Sequence, residues 1–278
     1  MQRIPRVAAI HDLAGFGRCS LTVILPVLAA MGVQGCPVPT AYLSTHTGGF
    51  TNMVRRDLTG EVEGTIRHWA EVGAAFEGVY TGYLASPEQA RLCALAVETL
   101  KTEGGIAVVD PVLGDGGKLY SSCGEALCSA MAELCCRADV ITPNLTEAAM
   151  LLGEDYGNLS ADGANALELA RALSDGGRRS VVLTGASDGE GRVGAACWDR
   201  ESGRGELVMA RRVEGSFHGT GDLFAAVLTG ALVKGAALAD AARKAAEFVS
   251  ACAAHTRMVD TPGREGVEFE PLLKMLCL

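Results

Sequence analysis

The sequence lacks the features that mark several protein classes. No apolar stretch approaches the roughly 20 residues of a membrane-spanning helix. The ten cysteines include no Cys-x-x-Cys pair, which argues against a zinc knuckle. Lysine and arginine number 24 against 33 aspartates and glutamates, so the net charge is −9. This excess of acid argues against a general nucleic-acid surface, which needs clustered positive charge.

What the sequence does have is glycine, 35 residues of it, and a hydrophobic content of 49% in 278 residues. We expect one domain spanning residues 1–278 with a sizeable core. The N-terminus runs into a strand-like segment without a secretory apolar region, and the cysteines are scattered. We therefore expect a cytoplasmic protein with reduced thiols and no membrane partner.

Short β-branched runs alternate with helix-like segments along the chain. The strand-like runs are Val7–Ile10, Gly78–Tyr80, Ile106–Val109, Val140–Ile141 and Val181–Leu183, with a hairpin predicted from Ala195–Trp198 and Glu206–Met209. The helix-like segments are Ser20–Met31, Ser86–Lys101, Ala161–Ser174, Asp222–Lys234 and Leu238–Ala254. Runs without polar alternation indicate strands buried on both faces. The order predicts an α/β fold of three αβα layers around a mostly parallel, doubly wound sheet.

The most informative motif is Gly219-Thr220-Gly221-Asp222, which comes directly before an apolar helix. A glycine-rich turn at a helix start leaves backbone N–H groups free, and the helix dipole adds partial positive charge. The motif therefore predicts a phosphate cradle, with the Asp222 carboxylate beside it as a potential general base.

Several other strand-like runs end in polar residues. Asp110 and Asp115 follow one strand, Thr142, Asn144 and Glu147 follow the next, and Thr184 ends a third. Because the carboxyl ends of parallel strands meet at one edge, we expect these side chains to gather there. Carboxylates and an amide suit Mg²⁺, which prefers oxygen ligands and keeps several waters.

Two other nucleotide motifs are weak or missing. Gly15-Phe-Gly17 follows the first strand, but Ser20 stands where a dinucleotide fingerprint has glycine or alanine. No acid closes a second strand about 20 residues later to bind a ribose, and no Gly-Lys-Ser or Gly-Lys-Thr occurs. The sequence therefore gives little support for a dinucleotide-dependent oxidoreductase.

These motifs resemble those of the ribokinase superfamily, in its vitamin-kinase branch. Gly219–Asp222 resembles its anion-hole and base motif, and Asn144-Leu-Thr-Glu147 its Asn-x-x-Glu motif. Five segments resemble pyridoxal kinases in the same order: Thr45–Gly48, Thr81–Tyr83, Asp110–Asp115, Ile141–Asn144 and Gly219–Ala226. The resemblance spans roughly residues 7 to 250.

The resemblance implies ATP-dependent phosphorylation of the 5′-hydroxymethyl group of pyridoxal, pyridoxine or pyridoxamine by a homodimer. It implies Asp222 as catalytic base and Gly219, Thr220 and Gly221 as the anion hole. The resemblance also implies that ATP and its phosphates are bound by Asp110, Thr142, Asn144 and Thr184, and that Mg²⁺ is bound by Asp115 and Glu147. His46 and Thr47 are expected to hydrogen-bond the substrate ring, Tyr83 to lie against it, and Asp12 to pair with its nitrogen or 3-hydroxyl. The need for a monovalent cation stays open.

Asp12 departs from many pyridoxal kinases, which carry a serine there. An acid at this place is similar to the hydroxymethylpyrimidine kinases of thiamine synthesis, so that activity is the alternative. A sugar kinase fits less well, because no paired glycines and acid stand near the N-terminus to hold vicinal hydroxyls. A non-catalytic vitamin-binding protein would not need the base.

Overall fold

The computed structural model describes residues 3–277, which form eleven strands and eight α-helices. The strands are β1 (Arg6–Phe16), β2 (Gln34–Thr45), β3 (Arg55–Asp57), β4 (Phe76–Thr81), β5 (Lys101–Val109), β6 (Gly114–Asp115), β7 (Lys118–Leu119), β8 (Val140–Ile141), β9 (Ser180–Ser187), β10 (Arg192–Asp199) and β11 (Arg204–Arg211). The helices are α1 (Leu21–Ala30), α2 (Thr59–Glu71), α3 (Pro87–Leu100), α4 (Glu125–Cys135), α5 (Leu145–Leu152), α6 (Gly163–Leu173), α7 (Thr220–Leu232) and α8 (Leu238–Met258).

Within this range, nine strands form one sheet in the order β11-β10-β9-β8-β5-β4-β1-β2-β3. The run from β9 to β2 is parallel, whereas β10, β11 and β3 join it antiparallel at the two edges. The small pair β6 and β7 forms a separate hairpin. The polar strand ends of the parallel part therefore open at a single edge of the sheet.

Alternate residues of the central strands belong to two separate cores. Val7 and Ala9 pack with α1, α7 and α8, whereas Ala8 and Ile10 pack with α2, α3, α4 and α6 on the other face. Both sets are fully buried, which explains the apolar runs without polar alternation. The predicted three-layer αβα fold is confirmed.

The five predicted helices and the β10–β11 hairpin are confirmed. The predicted end of the first strand is wrong: β1 continues through Phe16, so Asp12, Gly15 and Phe16 lie within a strand. Helices α2 and α4 were not predicted from the sequence. For α2, four of its first seven residues are glycine or threonine and only two of its positions are buried, so its helical pattern is weak. None of the ten cysteines, all within the described residues, forms a disulfide. Among those residues no helix is both long and apolar enough to cross a membrane.

Candidate active site

A cavity of about 590 Å³ opens at the carboxyl ends of the parallel strands. The structure brings every sequence-predicted site residue to its wall: Asp12, His46, Thr47, Tyr83, Asp110, Asp115, Thr142, Asn144, Glu147, Thr184, Gly219, Thr220, Gly221 and Asp222. These residues come from segments spread over more than 200 positions, and the parallel topology explains why they meet. Their individual roles stay predictions.

The glycine turn stands at the start of α7, as expected. Gly219 is the N-cap in a left-handed conformation, with φ of 78°. A Cβ atom there would lie 2.1 Å from the Arg18 carbonyl oxygen, so the site requires glycine. The Thr220 hydroxyl donates to the Phe217 carbonyl at 3.2 Å. The first N–H groups of a helix have no intrahelical partners, so those of this cavity-lining turn are available to an anion.

Asp222 lies in the first turn of α7, and one of its oxygens is fixed. Oδ2 accepts hydrogen bonds from the Ser20 backbone N–H at 2.9 Å and from the Cys19 thiol at 3.1 Å. Oδ1 is left to face the cavity. Burial raises the pKa of Asp222 above its ordinary range, while the hydrogen bonds from Ser20 and Cys19 act in the opposite direction. The carboxylate therefore has a basicity suited to accepting a proton.

Asn144 and Glu147 form a capping box at the start of α5. The Asn144 side chain accepts from the Glu147 N–H at 3.0 Å, and Glu147 Oε2 accepts from the Asn144 N–H at 2.9 Å. Glu147 Oε1 accepts from the Leu113 N–H at 3.1 Å, and the Asn144 amide donates to the Gly114 carbonyl at 2.8 Å. The Asn-x-x-Glu motif therefore fixes the backbone of Leu113 and Gly114, which directly precedes Asp115 at the cavity.

Acidic groups crowd this part of the cavity. Burial raises the pKa of Asp110 to about 7, and the Asp222 charge adds to the shift. Burial and then the Asp110 charge also raise the pKa of Glu147. Arg211 is the one lysine or arginine among the described lining residues. Like charges without counterions fit a site that receives a cation with its ligand.

Mg²⁺ fits the donors present at this edge. Asp115 is exposed and its Oδ1 accepts only the Gly116 N–H at 2.8 Å, so it retains free lone pairs. In the described range no group of three or more His, Cys, Asp or Glu side chains is arranged as a metal cage. Mg²⁺ does not need one, since it is commonly bound by one or two carboxylates with phosphates and waters.

The two threonines predicted to lie near the phosphates already donate hydrogen bonds within the protein. The Thr142 hydroxyl donates to Asp110 Oδ1 at 2.9 Å, and the Thr184 hydroxyl donates to the Pro143 carbonyl at 3.3 Å. Both still line the cavity. Phosphate contacts from these side chains would require their hydroxyls to rotate.

The other end of the cavity carries the predicted substrate residues. Asp12 lies where the β1–β2 register shifts between His11 and Leu13, an irregularity that re-aims a side chain. Burial raises the pKa of Asp12 to about 7, and the Asp222 charge adds to it. Tyr83 is buried, and its hydroxyl has no hydrogen-bond partner within the described residues. Thr47 is exposed on the cavity wall.

His46 is held by the protein itself. Its Nε2 donates to the Arg264 carbonyl at 2.7 Å, and its Nδ1 accepts from the Gly48 N–H at 3.1 Å. Burial lowers the pKa of His46, so the ring is neutral near pH 7. Neither nitrogen is therefore free, and the predicted hydrogen bond from His46 to a substrate ring would require the imidazole to give up one of these partners.

The segment 263–267 makes hydrogen bonds to residues at both ends of the cavity. Besides the Arg264 carbonyl on His46, the Gly263 carbonyl accepts from the His218 N–H and the Val267 N–H donates to the His218 carbonyl at 3.0 Å. The Glu265 carbonyl accepts from the Arg18 N–H at 3.0 Å. This segment thus fixes the residue that precedes Gly219, and sequence reasoning gave no sign of it.

Sequence reasoning also missed Cys19 and Ser20, which hold Asp222, and an apolar recess. The recess is lined by Val193, Ala210, Val213, Phe217, Val249 and Ala253, from β10 to α8. Its residues are scattered apolar positions without a motif. Cys19 and Ser20 do lie in the glycine-rich stretch after β1, and that stretch was the available signal.

Comparisons with known proteins give the family and the fold that the chain resembles. The model of the phosphomethylpyrimidine kinase family matches residues 25–263. A pyridoxine/pyridoxal/pyridoxamine kinase of Bordetella avium is 30% identical over 263 residues, covering 92% of this chain and 86% of that protein. The pyridoxal kinase of Lactobacillus plantarum has a TM-score of 0.90 at 32% identity, covering 99% of this chain and 97% of its own. A Bacteroides thetaiotaomicron protein solved with pyridoxal has a TM-score of 0.89 at 36% identity, covering 99% and 96%.

Proposed function

The chain belongs to the phosphomethylpyrimidine kinase family, and from that premise we propose that it transfers the γ-phosphoryl group of ATP to the 5′-hydroxymethyl group of pyridoxal, pyridoxine or pyridoxamine. The observation that carries the proposal is the placement of Asp222. Its Oδ2 is anchored by Ser20 and Cys19, its Oδ1 faces the cavity, and the glycine turn lies beside it. A protein that only bound a vitamin would not need an anchored base at an anion turn.

The chemistry follows from these positions. Oδ1 of Asp222 accepts the proton of the hydroxymethyl group as its oxygen attacks the γ-phosphorus, and the bond from that phosphorus to the β–γ bridging oxygen breaks, releasing ADP. The backbone N–H groups of Gly219, Thr220 and Gly221, with the dipole of α7, stabilise the charge on the transferred group. Phosphoryl transfer depends mainly on such positioning and electrostatics.

The cavity offers a separate place for each part of ATP. The apolar recess between β10 and α8 suits a nucleobase, which stacks on hydrophobic surface. Asp115 and Glu147 would hold Mg²⁺, with Asp110 and Asn144 close by, and when bound the ion would neutralise phosphate charge. The phosphates then lie between this acidic edge and the Gly219 turn.

The vitamer ring occupies the opposite end in this proposal. The aromatic side chains of Tyr83 and His46 supply contact surface for the ring, and Thr47 supplies a hydroxyl. Asp12, with a pKa of about 7, can either donate to or accept from a ring nitrogen or a 3-hydroxyl. The same acid favours the second candidate function, phosphorylation of the hydroxymethylpyrimidine of thiamine synthesis, and the matching family model is that of phosphomethylpyrimidine kinases.

A turnover panel tests the substrate. ATP-dependent phosphorylation is measured with pyridoxal, pyridoxine, pyridoxamine and the aminopyrimidine alcohol, with Mg²⁺ present or chelated and with Na⁺ or K⁺ as the salt. We expect the B6 vitamers to be phosphorylated only when Mg²⁺ is present. Turnover of the pyrimidine alone would replace the proposed substrate with the second candidate.

The role of Asp222 has its own test. Asp222→Asn removes the proton acceptor but keeps the shape, so kcat should fall about 10²–10⁴-fold while nucleotide binding is retained. Asp240→Asn is the matched control, because Asp240 is also a first-turn acid, on α8, but is exposed and remote from the cavity. Near-normal turnover of Asp222→Asn would rule out Asp222 as the base.

The proposal includes a homodimer in the cytoplasm. Leu13, Phe16, Tyr42 and Val54 are exposed apolar side chains at the ends of β1 and β2 and before β3, a concentration that suits an interface. The unpaired thiols fit a reducing compartment. Light scattering of wild type and of Phe16→Glu tests the dimer: we expect a dimer that the charge converts to monomer.

A further inference from the structure

His11 is a buried histidine that lies next to Asp222. Its side chain is fully buried in β1, and neither ring nitrogen has a hydrogen-bond partner among the described residues. Its Nδ1 is 4.0 Å from Oδ1 of Asp222. Buried polar groups without partners are rare and destabilise the fold, so a histidine in this position calls for a functional reason.

The surrounding fold makes room for this imidazole. The Tyr80 ring packs edge-on against it, with centroids 4.5 Å apart and an interplanar angle of 60°. Gly82 follows β4 directly, and a Cβ atom there would lie 1.8 Å from His11 Cε1. Burial lowers the pKa of His11 to about 3, so the ring is neutral and carries one donor and one acceptor nitrogen.

The two oxygens of Asp222 have different surroundings. Ser20 and Cys19 donate to Oδ2, whereas Oδ1 faces His11 on one side and the cavity on the other. With its proton on Nδ1, the imidazole presents a donor to the carboxylate. With its proton on Nε2, it would present a lone pair to an anion, which is repulsive.

We propose that His11 is a positioning residue, whose Nδ1–H donor orients the Asp222 carboxylate through Oδ1 and favours its ionised form. The inference rests on the proposed function of Asp222 as the base. The 4.0 Å separation is longer than a hydrogen bond, and catalytic contacts of this kind often shorten when substrate binds. Oδ1 can accept from His11 and from the substrate hydroxyl at once, because a carboxylate oxygen has two lone pairs.

Other ionisable groups also face this pair and must be kept constant. The Asp222 charge raises the pKa of Asp12 on β1 and of Asp110 after β5, and His46 lowers the pKa of Asp222. Cys19 touches Asp222 directly. Tyr80 from β4 faces His11. Substitutions at position 11 alone leave all of these in place.

The first experiment compares two variants at position 11. Asparagine places its amide nitrogen near the Nδ1 position, whereas phenylalanine keeps a ring without a donor. For His11→Phe we expect kcat/KM to fall at least about 10-fold, the size of one lost hydrogen bond to a charged group, and the acid limb of its pH profile to move to higher pH. His11→Asn should retain most activity and a limb near that of wild type.

Two results would overturn the proposal. One is a His11→Phe enzyme with wild-type turnover and pH profile. The other is equal loss in both variants with an unmoved acid limb, which would mark a purely structural role. Urea unfolding of each variant accompanies the kinetics. The wild-type chain gives a readout that needs no variant to fold: ¹⁵N chemical shifts should show His11 protonated at Nδ1, and protonation at Nε2 would contradict the proposal.

The failure of this inference can be told from failure of the proposed function. If Asp222→Asn retains turnover, the base assignment itself fails. If Asp222→Asn is inactive but His11→Phe behaves as wild type, only the role of His11 fails. In the Asp222→Asn background, His11→Phe should cause no further loss of turnover, since the two groups act as a unit.

Discussion

Replacing Gly219 with alanine should disable catalysis while leaving the fold intact. The new Cβ would start 2.1 Å from the Arg18 carbonyl oxygen, and ordinary contact begins near 3.4 Å, so the two must separate by about 1.3 Å. The φ of 78° adds strain of about 1–3 kcal/mol for a residue other than glycine. The Arg18 carbonyl directly precedes Cys19 and Ser20, which anchor Asp222.

The displacement therefore falls on the contact that aligns the base with the phosphate cradle. A misplacement of about 1 Å typically costs about 10²-fold in rate, and we expect kcat of Gly219→Ala to fall by that order. The unfolding midpoint should fall by only several degrees, since each 1 kcal/mol lowers it by about 2–4 °C in a chain of this size class.

Steady-state kinetics with a B6 vitamer, together with thermal unfolding, measure both effects. Gly221→Ala is the structural control, because Gly221 is helical without a positive φ and a Cβ atom there would meet no other part of the protein within 4 Å. Its unfolding midpoint should match wild type. If Gly219→Ala turned over within a few-fold of wild type, the packing of the turn against Arg18 would not be what aligns Asp222.

Two further outcomes are expected. In the folded protein the pKa values of Asp12 and Asp110 are about 7, above the ordinary value near 4. Between about pH 4 and pH 7 the folded protein therefore binds more protons than the unfolded chain. Stability without ligands should fall as pH rises from about 4 to 7, and Asp110→Asn should flatten the dependence in urea titrations; stability rising over this window would contradict it. Asn144→Ala removes the α5 cap at a cost of about 1 kcal/mol and should also slow turnover, whereas Ser86→Ala, which removes the α3 cap outside the cavity, should lower stability alone.

The sequence allowed the fold and the position of the site to be predicted because both depend on local patterns. Apolar runs such as Val7–Ile10 and Val181–Leu183 can be recognised as doubly buried strands, and strands of this kind imply a parallel sheet. Once the sheet is parallel, polar residues at the strand ends must meet at one edge. Asp222 stood out because a carboxylate follows a glycine turn at the start of an apolar helix.

What could not be predicted depends on contacts between distant segments. Ser20 reaches Asp222 across 202 positions, and the Arg264 carbonyl reaches His46 across 218. The surroundings of His11 could not be predicted either, because Tyr80 and Gly82 come beside it only through the pairing of β1 with β4. The true length of β1 was missed for a similar reason: Asp12 lies in a strand only because β2 pairs beyond it.

The segment 263–267 has a consequence for how the enzyme becomes active during synthesis. Every cavity-lining residue lies at or before position 253, so a ribosome completes the whole catalytic wall before this segment is made. Until residues 263–267 emerge, neither His46 nor His218 has its backbone partner, and the turn ahead of Gly219 is unsupported. A chain cut before residue 263 would therefore lack the backbone hydrogen bonds that fix His46 and the residue before Gly219.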